Sequence, residues 1–321
     1  MSNVFVIGNG FDIDLGLKTR YSDFTKSSFW PSATKDKAVA NDNGLVKVSY
    51  PKLPMLDKFI QSAKDKENWF DLEKELLAYT KNERTGETNY DTRNEVQGMV
   101  EQNVAYFNKL HNSLNNYILD IQNNSEINKD CRAKNVLSAV IENGYFENIY
   151  SFNYTNLIAL AKRLGITQDF KYYHLHGNVS EGTIILGVDE TPLRKGYEIF
   201  HKSSSRYYRS HNLYNALTAA EEIVIFGLSF GSIDYSYFDR FFKQISEGES
   251  IADDKKQYIT VFTRDDKSRL NIISNLRNMG INIQRLYAQS HFQIICNSDD
   301  VEKKELSDFY NRLKKPSYLT I

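Results

Sequence analysis

Short, nearly continuous apolar runs recur along this chain, and they constrain its fold more than any other feature. The first run covers residues 4–7 and ends at Gly8-Asn9-Gly10. Further runs cover residues 147–152, 172–175, 183–186, 222–226, 258–262 and 281–286. Runs of this length are typical of strands that are covered on both faces. Each run therefore predicts a buried strand.

Helical patterns separate several of these runs, at residues 157–163, 214–220, 237–245 and 270–279. Alternation of strands and helices favours an α/β fold with a mainly parallel, Rossmann-like sheet. Near the end of the chain, Leu306, Phe309, Tyr310 and Leu313 share one helical face. We therefore expect a final helix that docks on the rest of the protein.

A long helical region separates the first predicted strand from the second. Between residues 92 and 122, apolar residues recur at spacings of three and four, which predicts one long amphipathic helix. We interpret its apolar face as core packing, with contact to a partner chain as the alternative. Residues 1–24 and 143–321 are predicted to form a nucleotide-binding α/β domain, and residues 25–142 a mostly helical insertion or lid.

The charge and the cysteine content of the chain argue against several classes of function and of structural site. The chain has 40 basic and 41 acidic residues, whereas proteins that grip nucleic-acid backbones usually carry a basic excess. Its two cysteines, Cys131 and Cys296, form no paired motif, which argues against a structural zinc site or a disulfide scaffold. No apolar stretch approaches about 20 residues, and the start lacks signal-peptide features. We expect a cytoplasmic protein without a membrane or nucleic-acid partner.

The first candidate site is the motif Ile7-Gly8-Asn9-Gly10-Phe11-Asp12. A glycine turn between a strand and a helix is where α/β folds often bind phosphate, because backbone N–H groups can approach the ligand closely. Ile13 occupies the third glycine position of the dinucleotide fingerprint, so that motif is incomplete. The alternative is a tight turn in which Asp12 caps the next helix.

Two further candidates follow the next predicted strands. Asn153 lies where a strand meets a helix, and its amide can pair with a ribose hydroxyl or a water, or can cap the helix. His174 and His176 alternate along a strand, which predicts that they share a face. His176 precedes a glycine at the strand end and suits acid–base chemistry near neutral pH. The alternative is that backbone groups satisfy both histidines, and we expect no metal site.

The fourth candidate covers residues 225–234, where an apolar run enters a segment rich in glycine and serine. Gly227 would allow a nucleotide to approach, Ser229 can bond ribose or phosphate, and Asp234 can cap the following helix. The segment also matches the nucleophile-elbow pattern G-x-S-x-G. A serine hydrolase built on Ser229, with His291 as its histidine, is therefore an alternative.

The motif of residues 7–12, together with Gly16-Leu17 and Tyr21-Ser22-Asp23-Phe24, resembles the start of the AbiH abortive-infection family. Residues 152–155 and 174–178 resemble later motifs of that family. AbiH proteins are in turn similar to the sirtuin-like superfamily. The resemblance implies a sirtuin-like fold and an anti-phage protein that hydrolyses NAD⁺.

The resemblance also implies roles for individual residues. Asn153 would face the nicotinamide ribose and position a water, and His176 would be the general base. The nucleotide-binding residues would be Gly8, Asn9, Gly10, Phe11, Asp12, Thr155, Gly227, Ser229 and Asp234. NAD⁺ would be the substrate, and no metal is expected.

Two departures from sirtuin-like enzymes shape the alternatives. Two lone cysteines cannot build the four-cysteine zinc module of sirtuin deacetylases, so protein deacylation is not expected. Thr155 stands where sirtuin-like NAD⁺ hydrolases carry an aspartate, and Asp12 stands where sirtuins have no acid. A nucleotide-binding sensor or assembly module without catalysis therefore stays open, as do a homo-oligomer and a phage trigger or partner defence protein.

Overall fold

The computed structural model describes residues 2–31, 54–66, 71–81, 93–193, 196–209, 211–249, 252–296 and 303–314. Within these ranges the strands are β1 (Ser2–Ile7), β2 (Asn148–Ser151), β3 (Tyr172–His174), β4 (Ala220–Phe226), β5 (Tyr258–Thr263) and β6 (His291–Cys296). They form one sheet in the order β3-β2-β1-β4-β5-β6, and every neighbouring pair is parallel. This is the strand order of Rossmann folds, whose order reverses between β1 and β4. The predicted α/β class is confirmed.

Six α-helices lie between β1 and β2 in the described part of the chain. They are α1 (Asn9–Asp14), α2 (Tyr21–Phe24), α3 (Pro54–Lys66), α4 (Leu72–Lys81), α5 (Arg93–Asn124) and α6 (Arg132–Asn143). The later helices are α7 (Leu157–Arg163), α8 (Leu213–Ala219), α9 (Tyr235–Glu247), α10 (Asp266–Asn278), α11 (Ile283–Gln289) and α12 (Lys303–Lys314). The large helical insertion after the first strand is thus present. Among the helices described, none combines the length and apolar character needed to cross a membrane.

The chain divides into two compact units. The first comprises Met1–Thr19, Ile118–Ile185 and Tyr207–Ile321, and it contains the sheet. The second comprises Arg20–Tyr117 and Leu186–Arg206. Parts of the predicted insertion at residues 25–142 lie outside the described residues, and its role as a lid stays a prediction.

The second unit is held together partly by buried polar groups. Asn103 is fully buried, and its amide donates hydrogen bonds to the hydroxyls of Tyr79 and Tyr197 at 3.0 and 2.9 Å. Lys202 is also buried, and its ammonium lies 3.1 Å from a carboxylate oxygen of Glu73. These hydrogen bonds and this ion pair offset part of the cost of burying the polar groups, although Asn103 Oδ1 accepts no hydrogen bond from the described residues.

In the first unit, apolar layers cover both faces of the sheet. Along β1, Val4 and Val6 belong to one layer and Phe5 and Ile7 to the other, as the two-residue period of a strand requires. Helices α8 to α11 contribute to the first layer, and α1, α6, α7 and α12 contribute to the second. This two-sided burial explains why the strands read as nearly continuous apolar runs.

One predicted strand, at residues 183–186, is wrong. Ile184 and Ile185 are buried, but the segment is irregular and adds no strand to the sheet. The backbone N–H of Ile185 donates to the carbonyl of His176 at 2.8 Å. The run is therefore apolar because it packs in the interior, not because it belongs to a ladder.

The predicted strand at residues 281–286 is also wrong, because these residues lead into helix α11. The side chain of Asn282 caps this helix by accepting a hydrogen bond from the backbone N–H of Arg285 at 3.1 Å. The last strand is instead β6, which the sequence analysis missed. β6 is an edge strand in which His291 and Gln293 interrupt the apolar residues, so its continuous apolar run covers only residues 294–296.

Helix α12 docks on the second apolar layer, as its sequence pattern predicts. Phe309 is fully buried and meets the ring of Phe262 edge-on, with 5.0 Å between ring centroids. Arg312 donates to both carboxylate oxygens of Glu222, at 3.0 and 3.1 Å. The helix is thus held by apolar burial and by a two-pronged ion pair.

We expect Phe309→Ala to lower the free energy of unfolding by about 3–5 kcal/mol, because it leaves a cavity in a packed layer. Leu270→Ala is the matched control, since Leu270 is 70% exposed on α10 and its loss should change little. Denaturant titration measures both values. Equal stabilities for the two variants would show that α12 does not dock in solution.

Candidate active site

The loops that follow β1 and β4 touch backbone to backbone. The N–H of Gly10 donates to the carbonyl of Gly227 at 2.8 Å. A Cβ on Gly227 would lie 2.4 Å from the Cα of Gly10, and Gly227 has a φ of +69°. Both positions therefore need glycine for packing alone. The role of these glycines at a diphosphate stays a prediction.

Asp12 is buried at the carboxyl edge of the sheet, in the first turn of α1. Its Oδ1 accepts a hydrogen bond from the amide of Asn153 at 2.8 Å, and its Oδ2 accepts one from the hydroxyl of Thr155, also at 2.8 Å. Burial raises the pKa of Asp12 to about 7, although both hydrogen bonds act to lower it. The carboxyl group joins the loop after β1 to the loop after β2.

The amide of Asn153 is held in one orientation. Its Nδ2 donates to Asp12 and also to the carbonyl of Gly8 at 3.1 Å. Because both neighbours accept, the nitrogen must face them, and the oxygen faces elsewhere. Asn153 Oδ1 is buried and accepts no hydrogen bond from the described residues. An unsatisfied buried acceptor costs about 1–3 kcal/mol, which a hydroxyl or water donor would recover.

His174 holds the loop that carries Asn153. Its Nδ1 lies 3.3 Å from the carbonyl oxygen of Asn153, and its Nε2 accepts from the backbone N–H of Leu157 at 3.4 Å. Burial lowers the pKa of His174 to about 4, so the ring is neutral at physiological pH. Backbone groups occupy both ring nitrogens, which makes His174 a structural residue.

His176 faces the opposite side of the sheet from His174. Its Nε2 lies 3.2 Å from the hydroxyl of Tyr237 on α9, and its ring meets Phe152 edge-on. The prediction that both histidines share a face is wrong, because β3 ends at His174 and the chain turns before His176. His176 is 6% exposed and has a hydroxyl partner with which it can exchange a proton.

Asn9 and Phe11 make their side-chain contacts away from Asp12, Asn153 and Thr155. Asn9 accepts a hydrogen bond from the hydroxyl of Thr19 at 2.5 Å. Phe11 is fully buried in the core, with its ring edge-on to Phe226. Asp234 precedes α9 and makes no side-chain cap to it. Because the ring of Phe11 is buried in the core, any ligand contact at this residue would be made by its backbone.

Ser229 is exposed and lacks the surroundings of a hydrolase nucleophile. Among the described residues, no hydrogen bond joins its hydroxyl to a histidine or a carboxylate. His291 begins β6 opposite the first residue of β5, at the amino edge of the sheet, whereas Ser229 follows the carboxyl end of β4. The strained residue is Phe230, with a φ of 52°, and not the serine of the elbow pattern.

Tyr237 was not predicted as a site residue, although its helix was. In a helical sequence pattern, a tyrosine that packs in the core cannot be distinguished from a tyrosine that pairs with a histidine. The pairing arises because α9 brings Tyr237 against His176 in the loop after β3, and local periodicity does not reveal this contact.

We expect Asp12→Asn to change how stability depends on pH. The pKa of Asp12 is raised to about 7 in the folded protein, so the contribution of this group is greatest below about pH 4 and is lost as pH rises to about 7. Between about pH 5 and pH 8, the wild type should lose about 2–3 kcal/mol of unfolding free energy relative to the variant. Denaturant titrations at both pH values measure this. If the difference in unfolding free energy between the wild type and the variant is the same at both pH values, Asp12 ionises normally.

Comparison with known proteins identifies the family. The family model for bacteriophage abortive infection AbiH matches residues 4–252, a span that holds Asp12, Asn153, Thr155 and His176. Neither a curated protein nor a solved structure matches the chain. Because the family match covers well over half of its length, the chain belongs to the AbiH family of bacteriophage abortive infection proteins.

Proposed function

We propose that this abortive infection protein hydrolyses NAD⁺ at the bond between nicotinamide and ribose. The observation that carries the proposal is the buried Oδ1 of Asn153, which lies at the carboxyl edge of the sheet and lacks a donor among the described residues. Open α/β sheets bind their ligands at this edge, near the reversal of strand order. A hydroxyl group or a water molecule can donate a hydrogen bond to Asn153 Oδ1, and both take part in this reaction.

Asn153 would orient the reacting ribose or the attacking water. Its nitrogen is committed to Asp12 and Gly8, so only the oxygen can meet a ligand. A fixed acceptor aligns a donor before the reaction begins, which reduces the entropy lost on reaching the transition state.

His176 would receive the proton. As water bonds to the anomeric carbon, the carbon–nitrogen bond breaks, and its electron pair neutralises the pyridinium nitrogen of the departing nicotinamide. The proton released by the water passes to the imidazole of His176. The hydroxyl of Tyr237, 3.2 Å from Nε2, can hold the ring in position and pass a proton onward.

The departure at Thr155 is consistent with this chemistry. Sirtuin-like NAD⁺ hydrolases, which the sequence resembles, carry an aspartate two residues after the asparagine. Here the hydroxyl of Thr155 donates to Asp12, so a carboxyl group from α1 lies against Asn153. The acid at this site, Asp12, follows β1 and not β2, and it orients the amide of Asn153.

We expect infected cells that express the protein to lose NAD⁺ and release nicotinamide, and we expect His176→Ala to reduce that release at least about 100-fold, because the base is lost. His291→Ala is the control, since His291 lies at the opposite edge of the sheet. Chromatography of nucleotides after infection measures both variants. Asn153→Ala should behave like His176→Ala.

Two results would contradict the proposal. Protection against phage with intact NAD⁺ would show that another activity carries the defence. Tight binding of NAD⁺ by purified protein, without turnover even after infection, would instead support a sensor or assembly module.

A further inference from the structure

A cavity of about 590 Å³ borders β3, which is an edge strand of the sheet. Tyr172 and His174 line it from one face of the strand, and Tyr173 lines it from the other. A space lined from both faces of an edge strand lies along the open edge itself. Its volume is in the range of small-molecule sites, which is about 300–1,000 Å³.

The backbone of β3 faces this cavity with hydrogen-bonding groups that have no partner among the described residues. The carbonyl of Lys171 and the N–H of Leu175 bond to β2. Because bonding direction alternates along a strand, the N–H and carbonyl groups of Tyr172 and His174 point away from β2. They offer donors and acceptors in alternation, which match the edge of a heterocyclic base.

Aromatic rings surround these backbone groups. Tyr173 stacks on Tyr150 with 5.2 Å between ring centroids and remains 37% exposed. The ammonium of Lys171 lies 5.3 Å from the ring centroid of Tyr173, and this exposed lysine would have to move aside for a base to stack there. Tyr207 lines the cavity as well. Tyrosine faces bind planar rings by stacking, without regard to the identity of the base.

Arg209 and His211 add donors for an anion. Arg209 is exposed, and its Nη1 donates to the carbonyl of Tyr208 at 2.8 Å. An exposed guanidinium group on a flexible side chain can turn toward phosphate oxygens, which its planar fork suits. His211 accepts from the backbone N–H of Leu213 through Nδ1 at 3.4 Å, so Nε2 carries the proton. Among the described residues of the lining, Glu181 carries a carboxylate, which can accept a hydrogen bond from an amino group of a base.

We infer that this cavity binds a nucleoside monophosphate group, with its base against the tyrosines and the edge of β3, and its phosphate at Arg209. The site goes beyond the proposed function, because Asn153 and His176 do not line it. It is nevertheless linked to His176. The ring of His211 stacks on Tyr237, with 5.0 Å between centroids, and Tyr237 contacts His176.

Calorimetric titration of the full-length protein with AMP and with adenosine tests the inference. Arg209→Ala should weaken AMP binding about 10- to 100-fold and leave adenosine binding unchanged, because only AMP carries the phosphate. Tyr173→Ala should weaken both ligands about tenfold by removing a stacking face. Tyr145→Ala is the matched control, since Tyr145 is similarly exposed (39%) and lies outside this cavity.

Titration of AMP into His176→Ala with and without saturating NAD⁺ identifies the source of the nucleotide. Competition would show that the cavity holds the adenosine half of NAD⁺, and simultaneous binding would show a separate nucleotide effector. Absence of AMP binding at millimolar concentration, or equal AMP affinity in the wild type, Arg209→Ala and Tyr173→Ala, would overturn the inference. Because binding is measured without turnover, the result does not depend on NAD⁺ hydrolysis.

Discussion

The carboxyl group of Asp12 lies buried between two loops, and its hydrogen bonds with Asn153 and Thr155 determine how the site is arranged. A buried carboxyl group is costly unless donors surround it, and here two side chains from the loop after β2 supply them. Gly8 provides a second acceptor for Asn153, so the orientation of the amide follows from its surroundings. The buried acceptor that we assign to the substrate is therefore a consequence of the position of Asp12.

Much of the sheet could be predicted from the sequence because two-sided burial makes its inner strands uniformly apolar. Val4 to Ile7 alternate between two covered layers, and neither face permits a polar residue. The same reasoning failed for residues 183–186, where burial without pairing produces the same composition. It also failed for β6, whose edge position allows His291 and Gln293. An apolar run indicates that a segment is buried. It does not show whether the segment pairs with another strand, because that strand is distant in sequence.

The candidate site was only partly predictable. Its position followed from the strand ends, because parallel strands bring their carboxyl termini to one edge. The function of Asp12 did not, since a capping residue and a buried partner of Asn153 look identical in sequence. The glycines at positions 10 and 227 indicated the approach of a ligand, although the dinucleotide fingerprint is incomplete, and their contact with each other is sufficient to require them. Tyr237 and the cavity beside β3 depend on packing between segments far apart in the chain.

The central claim is that Asn153 presents a fixed acceptor to a ribose hydroxyl or to the attacking water. A crystal structure of the His176→Ala variant with NAD⁺ bound would test it most directly, because the substrate should persist in that variant. The account predicts a ribose hydroxyl, or a water beside the anomeric carbon, within hydrogen-bond distance of Asn153 Oδ1, with Nδ2 still on Asp12. A nucleotide bound away from Asn153, or an amide turned to offer Nδ2, would contradict it.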